Sequence, residues 1–175
     1  MTRQPIDPNV FACKPFSLWA KRWFLLCAGQ NAPGRFNVMT VGWGGFGVMW
    51  SKPVAIVAVR PSRYTYSFME GQPDFTLCAF PPALQEKLNF CGSKSGREVD
   101  KVAACGFTPR ASEKVAAPGM EEADLILECR KIYFEDCAPA RFLDPSIEDN
   151  YGGANYHRLY TGEILAVSGT DDYRA

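Results

Sequence analysis

The run Pro53-Val-Ala-Ile-Val-Ala-Val59 constrains this chain more than any other segment. It is apolar throughout and rich in β-branched residues, which lose side-chain freedom in a helix and pack well on a pleated surface. With no polar alternation, it reads as a core strand. Trp23-Phe-Leu-Leu-Cys-Ala28 reads as a second buried strand, closed by Gly29 and the loop 30–34, and Phe36 to Trp43 as a third. Asp74 to Phe80, Leu125 to Phe134 and Leu159 to Val167 follow the same reading. Gly42, Gly44, Gly45 and Gly47 suit tight turns or the close approach of another group.

Three short helices interrupt the strands. Ser62 is positioned as an N-cap for a helix to Glu70, with Gly71 as its stop. Ala83 to Phe90 sets Leu84 and Leu88 one turn apart. Ser95-Gly-Arg-Glu98 has capping-box spacing and opens a helix to about Cys105, ended by Gly106. Segments 107–122 and 138–156 are loop-rich. A parallel α/β sheet would need a helix after nearly every strand, so the order favours a closed or partly closed antiparallel barrel. Closure also removes the edges that so many apolar strands would expose. Thirteen prolines and fifteen glycines agree with short strands joined by turns. At 175 residues and 47% hydrophobic, the chain is expected to form one domain, with its core over about residues 20–168.

The net charge is zero and the pI is about 6.6, so no basic field exists to gather nucleic acid or an anionic membrane. No apolar run approaches the roughly 18 residues of a membrane span, and Met1 to Pro8 contains no apolar signal core. The seven cysteines are odd in number and lack Cys-x-x-Cys spacing. They read mostly as small buried hydrophobes in a reducing cytoplasm, with no disulfide framework.

Three segments carry the chemistry. Arg60-Pro-Ser62-Arg63-Tyr-Thr65 offers two forked cations, two hydroxyls and the free N–H groups of a helix start, a mixture suited to a phosphate. The plain alternative is a helix cap flanked by solvated arginines. Asn37-Val-Met-Thr40-Val41-Gly42-Trp43 places hydroxyl and backbone groups beside an indole, suited to a flat polar heterocycle, or else forms an ordinary strand with a core Trp. Gly92-Ser93-Lys94-Ser95-Gly96-Arg97 is a small, basic loop that matches neither a Walker loop nor a Rossmann turn, and alternatively it is simply solvated. His157 is the single histidine, so a His-rich zinc site is excluded by count. No Gly-x-Ser-x-Gly elbow supports a hydrolase triad. No catalytic residue and no metal ligand is assigned.

Taken together, Asn37–Trp43, Val59–Tyr66, Gly92–Lys101 and His157–Ile164 resemble, in order and spacing, the flavin reductase-like, FMN-binding split-barrel family, and within it the flavoredoxin type. The resemblance covers roughly residues 20–168. It implies a mainly β, Greek-key antiparallel split barrel with short inserted helices, acting as a homodimer with FMN near the subunit interface. By position, Asn37, Thr40, Val41, Gly42 and Trp43 would lie along the isoalloxazine or ribityl region. Arg60, Ser62, Arg63 and Thr65 would line the phosphate end, and Ser93, Lys94, Ser95 and Gly96 would form a loop against the flavin. Lys101 and His157 would complete the pocket.

Two departures stand out: Gly42 where relatives often have Ser, and Glu98 where Asp is common. The activity implied is NAD(P)H-dependent reduction of flavin, or of an acceptor through bound FMN. The alternative is a flavoredoxin-like electron carrier with tight FMN and a redox partner protein. A third reading on the same barrel makes His157 a haem ligand, which the complete phosphate block disfavours. The expected location is cytoplasmic.

Overall fold

A computed structural model describes residues 2–175. Its strands are β1 (Gln4–Ile6), β2 (Phe24–Gly29), β3 (Phe36–Val41), β4 (Gly44–Met49) and β5 (Lys52–Val59). They continue as β6 (Asp74–Ala79), β7 (Pro109–Arg110), β8 (Gly119–Met120), β9 (Leu125–Asp136) and β10 (Arg158–Gly169). Between them lie α1 (Pro15–Ser17), α2 (Tyr64–Gly71), α3 (Gln85–Ser93) and α4 (Lys101–Cys105).

One antiparallel sheet dominates, in the order β3-β2-β6-β9-β10-β5-β4, with β1 added alongside β10. The two ends of this path, β3 and β4, are separated in sequence only by Gly42 and Trp43. The chain therefore leaves β2 as β3, bends at these two residues and returns on β5 as β4. The Ala58 N–H donates to the Trp43 carbonyl at 3.1 Å across that bend. The sheet curls shut and stays split between β3 and β5. This is the mainly β, antiparallel split barrel that the sequence implies.

Phe24, Leu26, Val57, Phe75, Leu77 and Tyr160 fill the barrel interior. A second core lies outside it, where Leu25, Cys27 and Cys78 pack with Leu88, Cys91 and Phe107. β2 and β6 are buried on both faces by these two cores, which is why neither alternates in polarity. Each fully buried Leu or Phe contributes about 2 kcal/mol of transfer free energy. Arg22, Tyr173 and Asp124 tie the barrel end together: the Asp124 carboxylate accepts from Arg22 Nη2 at 2.6 Å and from the Tyr173 hydroxyl at 3.1 Å.

Several local expectations are corrected. The glycine run after Trp43 forms strand β4 rather than turns, and the Trp50-Ser51 hairpin tip takes φ of 50° and 56°. Ser62 is not the cap of α2; the helix starts after Arg63 and Gly71 is its last residue. Ser95–Glu98 makes only a turn. Helix α4 starts later because the Asp100 carboxylate takes the N–H groups of Val102 and Ala103 at 3.0 and 3.1 Å. The loop-rich stretch after Phe107 contains β7 and β8 and is pinned by two carboxylates from the barrel. Asp74 accepts from Ala117 N–H at 3.0 Å, and Glu128 from Lys114 N–H at 2.6 Å. Strand β1 carries no hydrophobic pattern of its own. No helix among the described residues is long and apolar enough to cross a membrane.

Candidate functional site

The turn before α2, the end of α3 and the loop after it meet over Met39 of β3. They enclose a cavity of about 390 Å³, within the usual ~300–1,000 Å³ of small-molecule sites. Arg60, Ser62, Arg63 and Thr65 form one wall, and Ser93, Lys94, Ser95 and Gly96 form another. Lys101, Cys91, Tyr64 and Asn155 complete it. Nine of the fifteen residues expected from the sequence thus surround one space. The lining holds four cations (Arg60, Arg63, Lys94, Lys101) and no carboxylate, in a chain of zero net charge.

Three of these cations are held by named partners. Arg63 Nη1 donates to the Gly92 carbonyl at 2.9 Å, joining the two walls. Arg60 Nη2 donates to the Asn150 carbonyl at 2.6 Å, and its guanidinium lies 5.1 Å from the centre of the Tyr151 ring. Lys101 is 4% exposed and donates to the Cys91 carbonyl at 3.0 Å. Burial chiefly, with the Arg63 charge, lowers its pKa. An anion in the cavity would offset both causes.

The remaining six expected residues do not line this space. Asn37 is a buttress: its Nδ2 donates to Thr65 Oγ1 at 2.7 Å. Gly96 is needed opposite it, because a Cβ there would stand 2.1 Å from Asn37 Oδ1. The Thr40 hydroxyl donates to the Leu88 carbonyl at 2.6 Å, directing it at α3. Val41 is buried in the barrel core. At Gly42 a Cβ would stand 2.8 Å from Trp23 Cδ1, so the indole occupies the space a serine side chain would need.

Trp43 and His157 form a neighbouring cluster with ring centres 4.9 Å apart. The Tyr151 hydroxyl lies 2.9 Å from His157 Nδ1. Burial, then the charges of Arg60 and Arg63, bring the His157 pKa down to about 4, so the ring is neutral at pH 7.

Asn155 is the residue that sequence reasoning missed. It takes φ of 59°, accepts from the Ser62 N–H through Oδ1 at 3.1 Å, and donates from Nδ2 to Ser62 Oγ at 2.9 Å. Its only sequence signal is an Asn two residues beyond Gly152-Gly153, which suits a left-handed turn but says nothing of a partner 93 residues away.

Fold and site together define a split-barrel domain with a cation-lined pocket on its outer face. Residues 20–174 match the flavin reductase like domain, and the chain belongs to that family. It is 27% identical over 157 residues to an uncharacterised protein of Archaeoglobus fulgidus, covering 90% of this chain and 77% of that one. Among solved structures, it is similar to the flavoredoxin of Methanosarcina acetivorans at 26% identity and a TM-score of 0.67, with 100% of this chain and 82% of that one covered. The flavoredoxin of Desulfovibrio vulgaris (Miyazaki F) has 22% identity and a TM-score of 0.67, with 98% and 78% covered.

Proposed function

We propose that this chain binds FMN in the 390 Å³ cavity and acts as an NAD(P)H-dependent oxidoreductase on flavin or on an acceptor. The observation that carries this reading is four cations, several hydroxyls and no carboxylate around one pocket in a neutral protein. That donor set fits a phosphate monoester dianion. Arg60 and Arg63 would hold the phosphate, with the Ser62 hydroxyl as a directional donor. Lys101, buried with a single hydrogen-bond partner, has donors left for an electron-rich edge of the ring system. The 93–96 loop would cover one side and exclude water. Bound FMN would supply the electron- and hydride-transfer chemistry.

A second reading, a flavoredoxin-like carrier served by a redox partner protein, is supported by the two flavoredoxin structures above. The decisive measurement is the visible spectrum of FMN-loaded protein under anaerobic NADH or NADPH. Prompt bleaching supports the reductase, and persistence of the bands supports the carrier. Failure to bind added FMN would sink both.

The proposal extends to self-association. β4 is the end strand of the sheet and, with the hairpin tip that follows it, presents Val48, Met49 and Trp50 to solvent, beside Tyr133 and Phe134. Such an apolar strip on an unpaired edge suits a second copy of the chain.

A further inference from the structure

Two thiols touch at the wall of the cavity. Cys91, in the last turn of α3, lines the cavity, and its Sγ lies 3.7 Å from that of Cys105, the last residue of α4. Cys105 donates its S–H to the Lys87 carbonyl at 3.7 Å, which leaves Cys91 as the donor between the two sulfurs. The ammonium of Lys101 is fixed beside them by its bond to the Cys91 carbonyl. Cys27, Cys78 and Cys129 are sealed inside the sheet at 0% exposure; Cys91 at 1% and Cys105 at 7% are scarcely more open, but Cys91 alone of these five borders the cavity.

We propose that Cys91 and Cys105 are a redox-active dithiol that closes to a disulfide when peroxide enters the cavity, and that closure regulates flavin binding. The regulatory half rests on the FMN reading above; the thiol chemistry does not. Cys91 borders the cavity and is the attacking residue. Its thiol gives up a proton and its sulfur bonds to one peroxide oxygen, breaking the O–O bond. Hydroxide leaves, takes up the proton as water, and Cys91 becomes a sulfenic acid. The Cys105 thiol then bonds to the Cys91 sulfur and expels the sulfenic oxygen as a second water. Two thiols and one hydrogen peroxide give one disulfide and two waters; the sulfurs lose two electrons and the oxygens gain them.

The sulfurs must approach by under ~2 Å to reach bonding distance. Burial pushes the Cys91 thiol up to about 12, against the pull of Lys101, so the reaction is slow at neutral pH. The bridge would join the two ends of the segment carrying Ser93, Lys94, Ser95, Gly96 and Lys101. One wall of the cavity would therefore be locked by it.

The test treats the reduced full-length protein with hydrogen peroxide, blocks free thiols under denaturing conditions, and maps peptides by mass spectrometry. Alkylatable cysteines should fall from seven to five, with a Cys91–Cys105 linked peptide that dithiothreitol removes. In Cys105→Ser that peptide should vanish and a sulfenic-acid probe should label Cys91. Retention of all seven thiols, or linkage of another pair, overturns the dithiol. FMN affinity is measured before and after oxidation, with a change of about five-fold or more expected. A linked peptide with unchanged affinity overturns the regulatory half. A linked peptide in a protein that binds no FMN even when reduced instead overturns the FMN reading, and the regulatory half with it.

Discussion

His157 shows how one side chain reports on its surroundings. Its pKa lies near 4 in the fold and about 6.5 in an unfolded chain. Between these values the unfolded chain binds a proton that the folded one refuses, so stability falls as pH drops through that window, by on the order of 3 kcal/mol in total. His157→Gln should flatten this loss in denaturant titrations at pH 7 and pH 4; an equally steep acid loss in the variant would assign it elsewhere. On the phosphate wall, replacing Ser62 and Arg63 together with Ala should weaken FMN far more than riboflavin, and equal weakening would count against the phosphate assignment. Asn155→Ala should shift FMN affinity by about 1 kcal/mol through the freed Ser62 N–H and the loosened Ser62 hydroxyl. The grouping of Arg60, Ser62, Arg63 and Thr65 on one cavity wall was legible because they are neighbours on one turn. The roles of Thr40 and Asn37 were not, because their partners, Leu88 and Thr65, lie on other elements.

At the scale of elements, the site is an assembly of ends: the start of α2, the last turn of α3, the loop behind it and the edge of β3. Gly96 sets the spacing between the loop and β3. Gly96→Ala should push Asn37 off Thr65, cost about 1–3 kcal/mol of stability and weaken flavin binding. Unchanged unfolding and binding curves would show that the loop yields freely. The long strands and the barrel class were readable from apolar runs, since burial on both faces leaves a continuous signature. β4 was not readable: Gly44-Gly-Phe-Gly-Val-Met49 has little β propensity, and it is a strand because β5 pairs with it. The start of α4 was misread because a spacing rule favoured Ser95 while the carboxylate of Asp100 made two bonds.

For the whole molecule, the ring of contacts around Asp124 and the exposed β4 strip make separate predictions. Asp124→Asn leaves Arg22 and Tyr173 without their charged partner and should cost about 2–3 kcal/mol in denaturant unfolding. If the β4 strip joins two copies, Trp50→Glu should convert a dimer to a monomer in light scattering; a wild-type monomer at all concentrations would refute the proposed self-association. The bend at Gly42 and Trp43 has a dynamic consequence. Because β3 and β4 are one covalent strand shared between opposite sides of the split, neither side can fray without pulling on the other. Their amides should therefore exchange with deuterium as one cooperative unit at matched rates, although β2 guards one half and β5 the other.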